Sequence, residues 1–259
     1  KNSNFFSKMH PSKIMKSKQM LESLRNKRIL LVVAHPDDEV LGPGGTMFKL
    51  IKYYNCIVKL LILGEGLTSR GDVRNTSSWE KELQIHRSNI DSASKIIGFN
   101  SNSIYEFPDN RFDSVDLIDI VKVIEKENKI FKSDSIFTHH GGDLNIDHQK
   151  TFEAVMTAVR PMNEQKTSSI ITFETVSGTE WQSTFDPRKF NPNMFIELTE
   201  KEVKTKCDAM DCYEFEKREY PHPRSREALK VRAKMWGIAH GVEYAEAFQI
   251  IRMIKRNEQ

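Results

Sequence analysis

Cysteine is scarce, long apolar runs are missing and neither sign of charge dominates; each shortage removes a class of protein. The three cysteines, Cys56, Cys207 and Cys212, cannot all pair with one another, and none stands at C-x-x-C spacing. A disulfide scaffold is therefore excluded, and a reducing, cytoplasmic compartment is the expectation. The longest apolar runs, Ile29–Ala34 and Leu60–Leu63, fall far short of the roughly 20 residues that a membrane-spanning helix needs. The balance of 39 Lys and Arg against 36 Asp and Glu leaves only +3. That is too little to argue for nucleic acid or an anionic membrane as a partner.

What remains is ample material for a core. Hydrophobic residues make up 38% of 259, which excludes a disordered chain. At about 150 residues per domain the length predicts one to two domains, and mixed α/β folds often reach it as one unit. One domain over residues 28–259 is expected, preceded by a tail over 1–27. That tail is rich in Lys, Ser and Asn and has no unbroken apolar block, so it does not read as a secretory signal. A peripheral helix around Met15–Leu24, without chemistry, is expected there. The chain starts without Met, and its being part of a longer polypeptide stays open.

From Arg28 onward short apolar runs alternate with amphipathic segments. Strands are expected at Arg28–Ala34, Ile57–Leu63, Ser135–Thr138, Ser168–Phe173, Met194–Leu198 and Ala247–Ile251. Helices are expected at Thr46–Tyr54, Ser78–Ile97, Val115–Asn128, His148–Val159, Thr199–Tyr213 and Arg224–His240. This alternation predicts an α/β fold, a Rossmann-like three-layer α/β/α arrangement with a mostly parallel sheet. Ligands in such folds sit beyond the carboxyl ends of the strands.

Chemistry concentrates at two such ends. His35-Pro36-Asp37-Asp38-Glu39 directly follows the first strand. Adjacent carboxylates repel unless a cation compensates, and a His with an Asp on one loop suits Zn²⁺. The remaining carboxylate is then free to take a proton from bound water. The competing reading is a helix N-cap, because acids at a first turn stabilise the helix dipole. The second cluster, His139-His140-Gly141-Gly142-Asp143-Leu144-Asn145-Ile146-Asp147-His148, follows another expected strand. A catalytic mononuclear site needs three protein ligands and an open position. His35, one acid of the first loop and His148 would supply them.

The combination of Ala34-His35-Pro36-Asp37-Asp38-Glu39 with Asp143-x-Asn145-x-Asp147-His148 resembles the LmbE/PIG-L family of zinc-dependent N-deacetylases. Weaker support comes from Gly64-Glu65-Gly66, from Pro108-Asp109-Asn110-Arg111-Phe112-Asp113, from Pro221-His222-Pro223-Arg224-Ser225 and from Gly241-Val242-Glu243. The resemblance implies removal of acetyl groups from N-acetyl amino sugars or their conjugates. It makes His35, Asp38 and His148 metal ligands, Asp37 the general base and Asp147 an acid that orients a neighbouring group. Glu39 is left a structural role, bonding backbone amides near Gly44 and Gly45. Zn²⁺ is the implied metal, and Fe²⁺ can occupy similar ligands. A homo-oligomer would be unsurprising in the family.

One departure matters. Better-known members carry a His where this chain has Asn145, which can donate a neutral hydrogen bond but cannot deliver a proton. The proton would return from Asp37, with His140 or His139 as alternatives. Arg70, Arg74, Asp109, Arg111 and His222 are candidates for substrate contact, each with a salt-bridge, loop or packing role as the alternative. Trp181 could stack on a sugar ring or fill a half-buried core position. Two rival functions stay open, a metal-dependent phosphoesterase that recruits Asp143 and Asp147, and a noncatalytic sugar- or nucleotide-binding module. A dinucleotide site is disfavoured, since Gly42-Pro43-Gly44-Gly45 lacks G-x-G-x-x-G spacing.

Overall fold

The computed structural model describes residues 20–162 and 166–254. Seven strands form one sheet in the order β3-β2-β1-β4-β5-β7-β6. They are β1 (Arg28–Val33), β2 (Ile57–Gly64), β3 (Ser101–Phe107), β4 (Ser135–His139), β5 (Ser169–Phe173), β6 (Met194–Leu198) and β7 (Tyr244–Met253). The first five run parallel, and β7 lies antiparallel to both β5 and β6. The mostly parallel Rossmann-like sheet expected from the sequence is thus the observed one. Six of its strands stand within three residues of their expected ends. The seventh, β3, was not anticipated.

The helices are α1 (Asp38–Leu41), α2 (Gly44–Tyr54), α3 (Glu80–Ile97), α4 (Leu117–Phe131), α5 (Ile146–Ala158), α6 (Glu200–Met210) and α7 (Arg226–His240). Successive side chains of a strand point to opposite faces, and β1 shows how this builds two cores. Ile29, Leu31 and Val33 join a cluster with Met47 and Leu50 of α2, Ile90 of α3, Val203 of α6 and Leu229 of α7. Leu30, Val32 and Ala34 join another with Ile120 and Ile124 of α4 and Val155 of α5. From Ile29 to Val33, β1 is buried on both faces and apolar at every position, which is why it was legible. At the amino end, Leu21 and Leu24 pack into the first cluster; the part of the expected Met15–Leu24 helix before residue 20 lies outside the described residues.

The chain leaves β1 for β2 and β3 on one side and returns to β4 and β5 on the other. The crevice between the carboxyl ends of β1 and β4 is therefore the switch point where such sheets bind ligands. Both polar clusters of the sequence open onto it. The amino end of α2 is closed to anions by the protein itself. Glu246 accepts from Gly45 N at 3.0 Å and Thr46 N at 2.7 Å, and Lys206 Nζ pairs with it at 2.7 Å. A side chain on Gly45 would meet Leu198 at 2.7 Å and Glu246 at 3.2 Å, so glycine leaves room here for side chains of β6 and β7. Glu39 is structural as expected, with different partners. It accepts from Asp37 N at 3.0 Å and from the Tyr213 hydroxyl at 2.5 Å, and burial pushes its pKa up to about 7.

Candidate active site

His35, Asp38 and His148 each offer a ligand atom within 4.8 Å of the other two, and all three residues are buried. His35 leaves the end of β1, Asp38 opens α1 and His148 sits in the first turn of α5. The Nε2–H of His35 donates to Asp147 Oδ2 at 2.8 Å, which leaves Nδ1 on the side of Asp38 at 3.5 Å. On His148, Nδ1 stands 3.1 Å from Asp143 Oδ1 and Nε2 stands 3.3 Å from Asp38 Oδ1. Each imidazole thus turns one nitrogen to a carboxylate behind it and the other toward Asp38, the arrangement that orients metal-binding histidines.

The electrostatics test whether a cation fits. Burial alone would raise the Asp38 carboxyl, yet the charge on His148 outweighs it and holds Asp38 well below its ordinary value. Burial works against charge on His148, while Asp38 and Asp143 push its pKa up to about 9. Neither ring nitrogen of His148 makes a hydrogen bond. A divalent cation among these three side chains would meet the same demand for positive charge while leaving the imidazoles neutral, so the donor set fits one.

His139 completes the floor. Its ring lies parallel on that of His148, with centroids 3.9 Å apart. Nε2 accepts from Ala34 N at 2.9 Å, so the proton sits on Nδ1, which donates to Thr175 Oγ1 at 2.9 Å. Burial and the neighbouring His148 lower its pKa to about 4. His139 is thereby fixed as a neutral wedge under His148. It is not among the residues that line the cleft.

Asp37 is buried with backbone φ of 108°, a left-handed conformation that costs a non-glycine residue about 1–3 kcal/mol. Its side chain makes no cap bond to α1, so the N-cap reading of this acid does not hold. The carboxylate instead lines the cleft, with Oδ2 3.1 Å from Arg224 Nη1. Burial raises its pKa well above the ordinary value. Arg224 opposes this, and Glu216, Asp38 and Glu39 add to it. Arg224 and Glu216, both missed from sequence, form one strip. Glu216 accepts from Arg224 Nη1 at 2.5 Å and also pairs with Arg70. The only sequence signal for Arg224 is the run Pro221-His222-Pro223-Arg224.

Asn145 caps α5, accepting from Asp147 N at 2.8 Å, and its Nδ2 donates to Asn110 Oδ1 at 2.9 Å. One of its two amide hydrogens remains for a ligand. The other oxygen of Asp147 accepts from Phe112 N at 2.8 Å.

The remaining candidates divide. Arg70, Asp109, Asn145 and His222 line the cleft, a cavity of about 280 Å³. Asp109 is also built into its wall, accepting from Ser69 N at 3.1 Å and standing 3.4 Å from His35 Nε2. Arg74 is turned away into a paired contact with Glu65, at 2.9 Å for each bond. Arg111 is exposed and outside the cleft lining. His140 is outside it too, with Nε2 donating to Arg188 O at 2.5 Å and its ring against Phe190. The two-metal reading gains a second triad, His35, Asp109 and Asp147, but it shares His35 with the first. Asp143 belongs to neither, its oxygens being taken by Asn145 N and Thr179 Oγ1.

Comparison with known proteins places this geometry. Among solved structures, the chain resembles a deacetylase from the teicoplanin biosynthesis pathway, with 16% identity over 88% of this chain and 100% of the other and a TM-score of 0.68. It also resembles the N,N'-diacetylchitobiose deacetylase from Pyrococcus horikoshii, at 18% identity over 96% and 95% and a TM-score of 0.65. The 4-carboxy-2-hydroxymuconate hydratase from Pseudomonas putida is similar to a like degree, at 17% over 90% and 100% with a TM-score of 0.66. Likeness at these identities speaks for the fold alone. No curated protein sequence matches the chain. The profile described as PIG-L, GlcNAc-PI de-N-acetylase, matches residues 30–159, half of the sequence and the part that carries both polar clusters. The chain belongs to the PIG-L (LmbE-like) family.

Proposed function

We propose that this protein is a metal-dependent deacetylase, Zn²⁺ being the favoured metal and Fe²⁺ the alternative, that removes the acetyl group from an N-acetyl amino sugar or its conjugate. The observation that carries the reading is the joint placement of the His35, Asp38 and His148 donor set and the carboxylate of Asp37 at one polar cleft. A divalent cation held by those three residues supplies an acidified water and a Lewis acid for the amide oxygen.

The chain's own groups do the rest. Asp37 takes a proton as water attacks the acetyl carbon and returns one to the departing amine. A carboxyl whose pKa is raised by burial exchanges protons closer to neutrality than an ordinary one. Arg224 holds Asp37 in place and limits that rise. The spare N–H of Asn145 is available to the oxygen that gains charge during attack. His139, neutral and bonded on both nitrogens, keeps His148 in position and has no free nitrogen for the amine, which supports Asp37 as the proton carrier. The products are acetate and a free amine. Three free thiols fit a reducing compartment, and we place the enzyme in the cytoplasm.

The test is acetate release from N-acetylglucosamine conjugates and nucleotide-sugars by metal-free protein, with zinc or ferrous iron added back. Metal-dependent acetate with an equimolar free amine is the expected result. Bound metal without acetate from any conjugate would remove the deacetylase reading.

A further inference from the structure

We infer that Trp181 is a stacking platform for a sugar ring and that it makes the cleft select N-acetylated hexosamines over acyclic N-acetyl amines; this deepens the reading above and rests on it for the reacting amide. Trp181 lines the cleft and is 52% exposed. It does not fill a core position, and its indole N–H has no hydrogen-bond partner among the described residues. A large apolar face left open to water beside charged groups is matched by a ligand with one apolar face and a polar rim. A pyranose has that shape, since its axial C–H bonds form a patch while its hydroxyls point outward.

The platform is rigid. Trp181 ends a 3₁₀ turn, Thr179–Trp181, that is fastened on two sides. Thr179 Oγ1 donates to Asp143 Oδ2 at 2.5 Å, and Asp143 also stands against His148. Ser177, just before the turn, accepts at Oγ from Arg224 Nε at 2.8 Å, and Arg224 contacts Asp37. A side chain at Gly178 would meet Asp143 at 2.6 Å, so the turn is drawn tightly onto that carboxylate. The turn that carries the indole is thus tied to both a neighbour of the metal ligands and a neighbour of the proposed base. His222 meets it edge-on, with ring centroids 5.8 Å apart, and supports one side of the indole. Arg70 and Glu216 line the same cleft and offer polar atoms to the hydroxyls of a ring lying on Trp181.

The test compares Trp181→Ala and Trp181→Phe with wild type on two substrates bearing the same acetamide, methyl N-acetylglucosaminide and N-acetylethanolamine. The readout is the ratio of kcat/KM values, glycoside over acyclic amine. In Trp181→Ala that ratio should fall on the order of ten- to a hundredfold, chiefly through KM for the glycoside. Trp181→Phe should recover most of it. An unchanged ratio overturns the proposal.

A second measurement does not depend on turnover. Titrating the glycoside into wild-type protein should shift tryptophan emission saturably, and Trp181→Phe, which retains Trp79 and Trp236, should lose that shift. An intact shift without acetate release would sink the proposed reaction and keep the platform. Acetate release with neither a shift nor a change of ratio would sink the platform and keep the reaction.

Discussion

Asp147 grips His35 from behind. One of its oxygens takes the Nε2–H of the imidazole at 2.8 Å and the other takes the Phe112 amide at 2.8 Å, in a fully buried position. The acid sets the tautomer of His35 and aims Nδ1 at Asp38. Asp147→Asn preserves the shape but offers a single accepting oxygen, so one of the two bonds is lost. Metal affinity is expected to fall about 10- to 100-fold, as read by competition with a chromogenic chelator. Unchanged affinity would free Asp147 from this role.

Asp37 combines a strained backbone with a buried acid. Asp37→Asn should bind metal as wild type does and lose about 10²–10⁴-fold in kcat. Asp37→Gly relieves the positive φ and should be equally inactive yet harder to unfold by about 1 kcal/mol. Denaturant titration of both variants decides the point. An active glycine variant would remove Asp37 as the base.

The legible parts of this molecule were those whose signal is local. β1 and β2 are largely apolar runs and β4 and β5 have apolar centres, because two helical layers bury them, and the polar clusters stood out against these segments. β3 was missed because Ser101–Phe107 is an edge strand with no fully buried position; its sequence carries no continuous apolar run. α1 is a single turn of four residues, too short for any period to appear. The strip of Arg224 and Glu216 was invisible for a different reason. These residues reach Asp37 through the fold, from the loop between α6 and α7, and nothing nearby in sequence announces the contact. Arg74 and His140 looked like cleft residues because they lie near motifs, yet Glu65 and Arg188 O hold them elsewhere.

Asn145 has two duties that substitution can separate. Its oxygen caps α5, and its amide nitrogen, bonded to Asn110 Oδ1, belongs to a side chain that lines the cleft. Asn145→Asp keeps the cap and removes the donor, so stability should hold while kcat falls about 10- to 100-fold, somewhat less than for a dedicated oxyanion donor. Asn145→Ala loses both and should also cost about 1 kcal/mol of stability. If Asn145→Asp retains full activity, the donor role is wrong and the cap alone accounts for the residue.

His86 sets a pH dependence of stability. The ring is buried against Tyr213 and Phe215, with both nitrogens unpartnered. Burial, with a smaller push from the positive Arg70, lowers its pKa from 6.5 to about 4. Below pH 6.5 the unfolded chain therefore takes up a proton that the folded protein refuses until about pH 4. Acidification through that window favours unfolding, by up to about 3 kcal/mol when complete. His86→Leu removes the titrating group and leaves no polar atom unsatisfied. Near pH 7 the variant should already be the more stable, by an offset that does not vary with pH, and its advantage should grow further as pH falls toward 4. Urea unfolding of the two proteins across that range measures the difference directly, so that acid effects common to both cancel. A difference that stays flat with pH would mean that the imidazole is protonated inside the fold.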